Sequence, residues 1–192
     1  MTPPYRTAFL DRDGTLNVKA PEGEYVTTAG DLRLLPGAGD AVRRLNRAGV
    51  FVVLVTNQRG IARGLLSEDA HTQIMRSLVE GLAASGAHLD AVYVCPHDEG
   101  SCGCRKPAAG LLFRAAREHP GIELGHAATV GDSESDVLAG AGAGTMTIRI
   151  AEPPVASQAD HVVPDLGAAV SIILRSAGTP VRTEHPEVDP PP

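Results

Sequence analysis

Two carboxylates, two residues apart, close a short apolar run in Thr7-Ala8-Phe9-Leu10-Asp11-Arg12-Asp13-Gly14-Thr15. The run has the length and composition of a buried strand, and Gly14 supplies a tight exit from it. Residues i and i+2 of a pleated strand face the same side, so Asp11 and Asp13 are expected to project together. Like charges that close are costly unless one is protonated or a cation lies between them. A cation site beside a carboxylate aimed at an electrophile is the apparatus of phosphoryl transfer to aspartate. Alone, the same string also describes a polar turn after an edge strand, so the rest of the chain must decide.

Three further constellations bear on that choice. Asp132, in Gly131-Asp132-Ser133-Glu134-Ser135-Asp136, could join Asp11 and Asp13 as a third hard oxygen ligand. Such a set suits magnesium, which would offset the repulsion between a phosphate and an attacking Asp11, with Asp13 protonating the leaving oxygen and later activating water. The competing reading has Asp132 and Asp136 capping the helix that follows. Thr56 and Asn57 can donate to phosphoryl oxygens, Lys106 offers a point charge and Arg105 a fork. Taken singly, these are an ordinary loop and an ordinary solvated turn. Cys95, His97, Cys102 and Cys104 form C-x-H-x4-C-x-C, which is all the cysteine in the chain. Three thiolates and an imidazole complete a tetrahedron with no open position, as in structural zinc sites, free thiols being the alternative. A metal there would staple a loop with no core of its own and hold Arg105 and Lys106 in place. The remaining histidines show no ligand spacing and read as surface or cap residues.

The elements around these residues alternate. Helix 38–48 carries Ala41, Val42, Leu45 and Ala48 on one face and stops at Gly49. Residues 50–55 are a continuous, mostly β-branched run, the pattern of a parallel strand covered on both faces. Ser67 is positioned to cap a helix with Ile74, Leu78 and Leu82, and strand 89–94 leads into the cysteine loop. Helix 109–118, strands 127–130 and 145–150, and a last helix capped by Asp165 complete the series. This predicts an open, mainly parallel α/β sheet with helices on both faces, whose ligands bind beyond the carboxyl ends of the strands. Polar tips follow four of the strands, and their convergence on one edge is the strongest functional signal. Residues 1–175 fit a single domain with the cysteine loop at 95–104, a polar flap spans 17–30, and the Pro-rich stretch 176–192 is expected to be a disordered tail. The chain has 192 residues and a formal net charge of −6 without any basic run, which argues against a nucleic-acid or anionic-membrane partner. It lacks a membrane-length apolar stretch and a secretory pattern, so a cytoplasmic monomer is expected.

FLDRDGT, VTNQRGIARG, CPHDEGSCGCRKP and VGDSESD, in that order, resemble the haloacid dehalogenase superfamily of phosphohydrolases. Within it they are similar to the heptose 1,7-bisphosphate 7-phosphatase branch and its histidinol-phosphatase relatives. The resemblance covers roughly residues 7–150 and implies a Rossmann-like core without a large cap domain. It implies Asp11 as nucleophile and Asp13 as general acid/base. Magnesium would be held by Asp11, the Asp13 backbone carbonyl and Asp132, and zinc by Cys95, His97, Cys102 and Cys104. Thr56 and Lys106 would steady the transferring group, with Arg12, Asn57, Gln58, Arg59 and Arg105 meeting substrate and Tyr25 a further contact. The implied substrate is a small phosphorylated sugar, the 7-phosphate of a heptose 1,7-bisphosphate, with histidinol phosphate as the alternative. The sequence departs from that branch at Arg59, at Ser133 and in a short cysteine loop. A phospho-accepting signalling domain and a non-catalytic zinc-stapled module are the readings from other classes. Asp13 argues against the first, because a group that activates water would erase a lasting signal; converging polar tips argue against the second.

Overall fold

A computed structural model describes residues 4–21, 23–152 and 154–175. The expected tail at 176–192 and Glu22 of the flap lie outside the described residues. Six parallel strands form one sheet in the order β3-β2-β1-β4-β5-β6. They are β1 (Thr7–Leu10), β2 (Phe51–Asn57), β3 (Ala91–Cys95), β4 (Ala127–Gly131), β5 (Met146–Ile150) and β6 (His161–Val163). The helices are α1 (Ala38–Arg47), α2 (Arg59–Ala62), α3 (Glu68–Ala84), α4 (Gly110–Glu118), α5 (Glu134–Ala143) and α6 (Leu166–Leu174).

The pleat of β1 sorts the core into two layers. Ala8 and Leu10 face a cluster with Val42 and Leu45 of α1, Ile74, Leu78 and Leu82 of α3, and Val170 and Ile173 of α6. Phe9 faces the other way, onto Leu111, Leu112 and Ala115 of α4 and Ala139 of α5. Burying each large apolar side chain contributes about 1.5–3 kcal/mol, and the central strand is buried throughout. The expected caps hold: Ser67 Oγ accepts from Ala70 N at 3.1 Å, and Asp165 Oδ1 accepts from Ala168 N at 2.7 Å.

The sheet is wholly parallel where "mainly parallel" was expected, and β6 and α2 add to the elements read from sequence. β6 has only three residues, too few for a periodicity to show. The chain steps outward from β1 to β2 and β3, then returns to pair β4 with the free side of β1. That reversal opens a crevice beyond the carboxyl ends of β1 and β4, the usual ligand position in such sheets. Register keeps the tips level, since Leu10 pairs with both Leu54 and Val130. No helix among the described residues is long and apolar enough to cross a membrane.

Candidate active site

A cavity of about 600 Å³ lies over that crevice, lined by Asp11, Arg12, Asp13, Thr56, Asn57, Gln58, Arg105, Lys106 and Asp132 among others. Asp11 leaves β1 with its amide donating to Val130 O at 2.9 Å, which carries the β1–β4 pairing one residue past the strand. Its carboxylate is nearly buried and accepts from Lys106 Nζ at 2.6 Å. The Asp11 carboxyl is pushed up to about 7: burial raises it most, the Lys106 ammonium pulls it down, and Asp136 and Asp13 add to the rise. Lys106 stays charged: burial disfavours its ammonium, but Asp11 and Asp136 more than offset that and raise its pKa.

Lys106 reaches this point because its backbone is clamped. Asn57 Nδ2 donates to Lys106 O at 3.0 Å, and Lys106 N donates to Asn57 Oδ1 at 3.1 Å. The ammonium also donates to Val55 O at 2.8 Å and lies 2.5 Å from Asp136 Oδ1. Asn57 was expected to donate to a phosphoryl group; instead its carboxamide joins the end of β2 to the loop after β3. Gln58 is likewise buried, with Nε2 donating to Thr56 Oγ1 at 2.8 Å and Asp13 Oδ2 at 3.1 Å.

The pairing of Asp11 and Asp13 side chains around one cation needs correction. The strand stops at Leu10, so the alternation that would align them does not continue. Asp13 turns its oxygens to Arg12 Nη2 at 2.8 Å, Asn17 Nδ2 at 2.9 Å and Gln58, while still lining the cavity. Arg12, expected to meet substrate, is almost fully buried beneath that carboxylate. His71, expected at the surface or in a cap, is half-buried near Arg12 and Asp13; burial and then Arg12 lower its pKa.

The acidic cluster is Asp11, Asp132 and Asp136, whose ligand atoms lie within 4.8 Å of one another. The capping reading holds for Asp136, which also pairs with Lys106. Oδ2 caps α5 through Ser133 N at 3.1 Å and Ser133 Oγ at 2.6 Å, while Oδ1 meets Lys106. Two glycines permit the crowding: a Cβ on Gly14, whose φ is +82°, would collide with the Asp132 carboxylate, and one on Gly131 with that of Asp136. Hard oxygens from separate strand ends, packed this tightly, fit a small divalent cation such as magnesium.

Cys95, His97, Cys102 and Cys104 also converge. Their sulfurs are 3.3–3.6 Å apart, and His97 Nδ1 is 3.6 Å from Cys95 Sγ and 3.3 Å from Cys104 Sγ. A disulfide would need ~2.05 Å, whereas a tetrahedron built on zinc–sulfur bonds of ~2.3 Å has edges near ~3.8 Å. The donor set therefore fits zinc. Ala62 N donates to Pro96 O at 3.1 Å, fastening the loop to α2. Arg59 joins the same fastening and not the cavity: its guanidinium pairs with Asp98 and, at 2.8 Å, with Glu99. Arg105 does line the cavity, mostly buried, 3.9 Å from Glu99.

The flap lies where expected, lining the cavity with Glu24 and Tyr25, the ring packing over Gly60 of α2. Sequence reasoning gave no role to Lys19, whose Nζ donates to Asp132 Oδ2 at 2.7 Å. No spacing could have revealed a contact spanning 113 residues.

The profile of the haloacid dehalogenase-like hydrolases matches residues 5–144. A D-glycero-beta-D-manno-heptose-1,7-bisphosphate 7-phosphatase of Rhodopseudomonas palustris is 40% identical over 150 residues, 74% of this chain and 81% of the relative. The D-glycero-D-manno-heptose-1,7-bisphosphate 7-phosphatase of Thermosynechococcus vestitus is 41% identical over 192 aligned residues, covering 88% of this chain and 96% of its own. Among solved structures, a D,D-heptose 1,7-bisphosphate phosphatase from B. bronchiseptica, complexed with magnesium and phosphate, superposes with a TM-score of 0.80 at 32% identity over 88% of this chain and 98% of that one. With its crevice, acidic cluster and motifs matched across that span, this chain belongs to the haloacid dehalogenase-like hydrolases.

Proposed function

We propose that this chain is a magnesium-dependent phosphatase that hydrolyses the 7-phosphate of a D-glycero-D-manno-heptose 1,7-bisphosphate. The observation that carries this reading is the meeting of Asp11, Lys106, Asp132 and Asp136 in one cavity with Asp13 at its wall. Similarity to heptose bisphosphate phosphatases, one of them solved with magnesium and phosphate, supports it.

An Asp11 oxygen attacks phosphorus as the bond from phosphorus to the sugar oxygen breaks, and that oxygen takes a proton from Asp13. Asp13 then removes a proton from water, which attacks the aspartyl phosphate; the bond to Asp11 breaks and phosphate leaves. Arg12, Asn17 and Gln58 fix the direction of the Asp13 carboxyl through both steps. Lys106 and Thr56 stand beside Asp11, where charge and hydroxyl donation favour the transferring group. Asp11, the Asp13 backbone carbonyl and Asp132 would hold the magnesium, which would supply charge neutralisation between two anionic reactants. The four soft ligands would hold zinc as a staple that keeps Arg105 and Lys106 in position.

Histidinol phosphate is the second reading, favoured by one observation: the Glu24 carboxylate lines the cavity and would suit an amine. Purified protein with magnesium should release phosphate from heptose 1,7-bisphosphate with a higher kcat/KM than from histidinol phosphate, and Arg105→Ala should narrow the gap. The reverse order would promote the second reading.

A further inference from the structure

Lys19 is a cation of the cavity to which the reaction above gives no task. The two residues before it are anchored: Val18 N donates to Arg33 O at 2.8 Å, and Asn17 bridges to Leu34. The Lys19 side chain is 56% exposed and makes a single bond, to Asp132 Oδ2. Lys106 is the contrast: 2% exposed and engaged by Asp11, Asp136 and the Val55 carbonyl. One ammonium is locked in place, while the other is an exposed point charge whose pairing is weak and exchangeable.

Asp132 is also a carboxylate placed to hold a divalent cation, so Lys19 and that cation compete for it. Among the described residues, the cavity is lined by the carboxylates of Asp11, Asp13, Glu24, Asp132 and Asp136 and by four basic groups. Arg12 is committed to Asp13, and Lys106 to Asp11 and Asp136. A second, non-reacting phosphate would therefore be met by Arg105, from the loop after β3, and by Lys19, from the segment after β1.

We propose that Lys19 is a specificity-determining residue that exchanges partners: it neutralises Asp132 while the acidic cluster holds no metal, and turns to the substrate's second phosphate once a divalent cation takes its place. This rests on the bisphosphate reading. The exchange couples the two charges, since metal arrival at Asp132 frees the lysine to meet the second phosphate.

The test uses Lys19→Gln and Lys19→Arg with two measurements: magnesium binding by calorimetry without substrate, and kcat/KM for the bisphosphate against heptose 7-phosphate. Loss of the competing ammonium should tighten magnesium binding several-fold in Lys19→Gln. The preference for bisphosphate over monophosphate should fall about tenfold or more, through KM rather than kcat, as expected for loss of a charge-assisted contact. Lys19→Arg should restore most of the preference. Weaker magnesium binding in Lys19→Gln would overturn the inference, because Lys19 would then be orienting Asp132 for the metal. A wild-type preference that survives Lys19→Gln overturns the inference alone, whereas a wild type with no preference overturns it together with the substrate reading.

Discussion

Two clusters of potential metal ligands sit on the same sheet edge, and they are built on opposite principles. The cysteine-histidine cluster is soft and closed: its donors touch one another at 3.3–3.6 Å and leave no room for a further ligand. The acidic cluster is hard, interleaved with Lys106 and Lys19, and opens onto a cavity of about 600 Å³. A closed site stores its metal's binding energy as loop order, while an open one keeps positions for reactants. The short path between them, Cys104 to Arg105 to Lys106, turns order in the first into placement of charge in the second.

Breaking the open site should have the largest effect. Asp11→Asn removes the proposed nucleophile and relieves carboxylate repulsion, so turnover should fall by about 10³-fold or more with an unchanged or slightly higher melting temperature. Near-normal turnover with magnesium present would exclude covalent catalysis at this residue. Breaking the closed site should act at one remove. Wild-type protein should carry one zinc per chain that survives a weak chelator able to strip magnesium. Cys102→Ser should loosen the loop, lower stability and reduce activity without abolishing it; freshly purified, reduced protein free of zinc would refute the staple.

The link between the sites can be cut at Asn57. Asn57→Ala removes both halves of the Lys106 clamp, and losing two partly buried hydrogen bonds costs about 1–3 kcal/mol, so kcat should drop roughly tenfold to a hundredfold while zinc content stays full. Arg59→Ala should do least. Exposed ion pairs are worth about 0–1 kcal/mol, so its melting temperature and KM should stay close to wild type, in contrast to Arg105→Ala. A KM that rises as far in Arg59→Ala as in Arg105→Ala would place Arg59 at the substrate after all.

The same contrast explains what the sequence could disclose. The closed site was readable as a unit because its four ligands fall within ten residues, with a spacing that few other structures require. The strand tips were readable because β-branched runs such as residues 50–55 end abruptly in polar residues, and parallel sheets bring such ends to one edge. Side-chain direction was not readable. Asp13 left the alternation when β1 stopped at Leu10, and the order of strands decided which acids met. Asp136 entered the cluster because β4 pairs with β1, and Arg59 left the cavity because β3 brings Asp98 and Glu99 beside it. Lys19 looked like any solvated loop lysine until the fold set it against Asp132.

Transfer of the phosphoryl group through Asp11 would leave a covalent trace on the open cluster. Its most direct test is to mix Asp13→Asn protein with substrate and magnesium, quench rapidly, and map any phosphorylated peptide by mass spectrometry. Slowed hydrolysis should let a phosphoryl group accumulate on the peptide carrying Asp11, with none in the Asp11→Asn/Asp13→Asn double variant. A burst of product without label on that peptide, or label on another residue, would contradict the account.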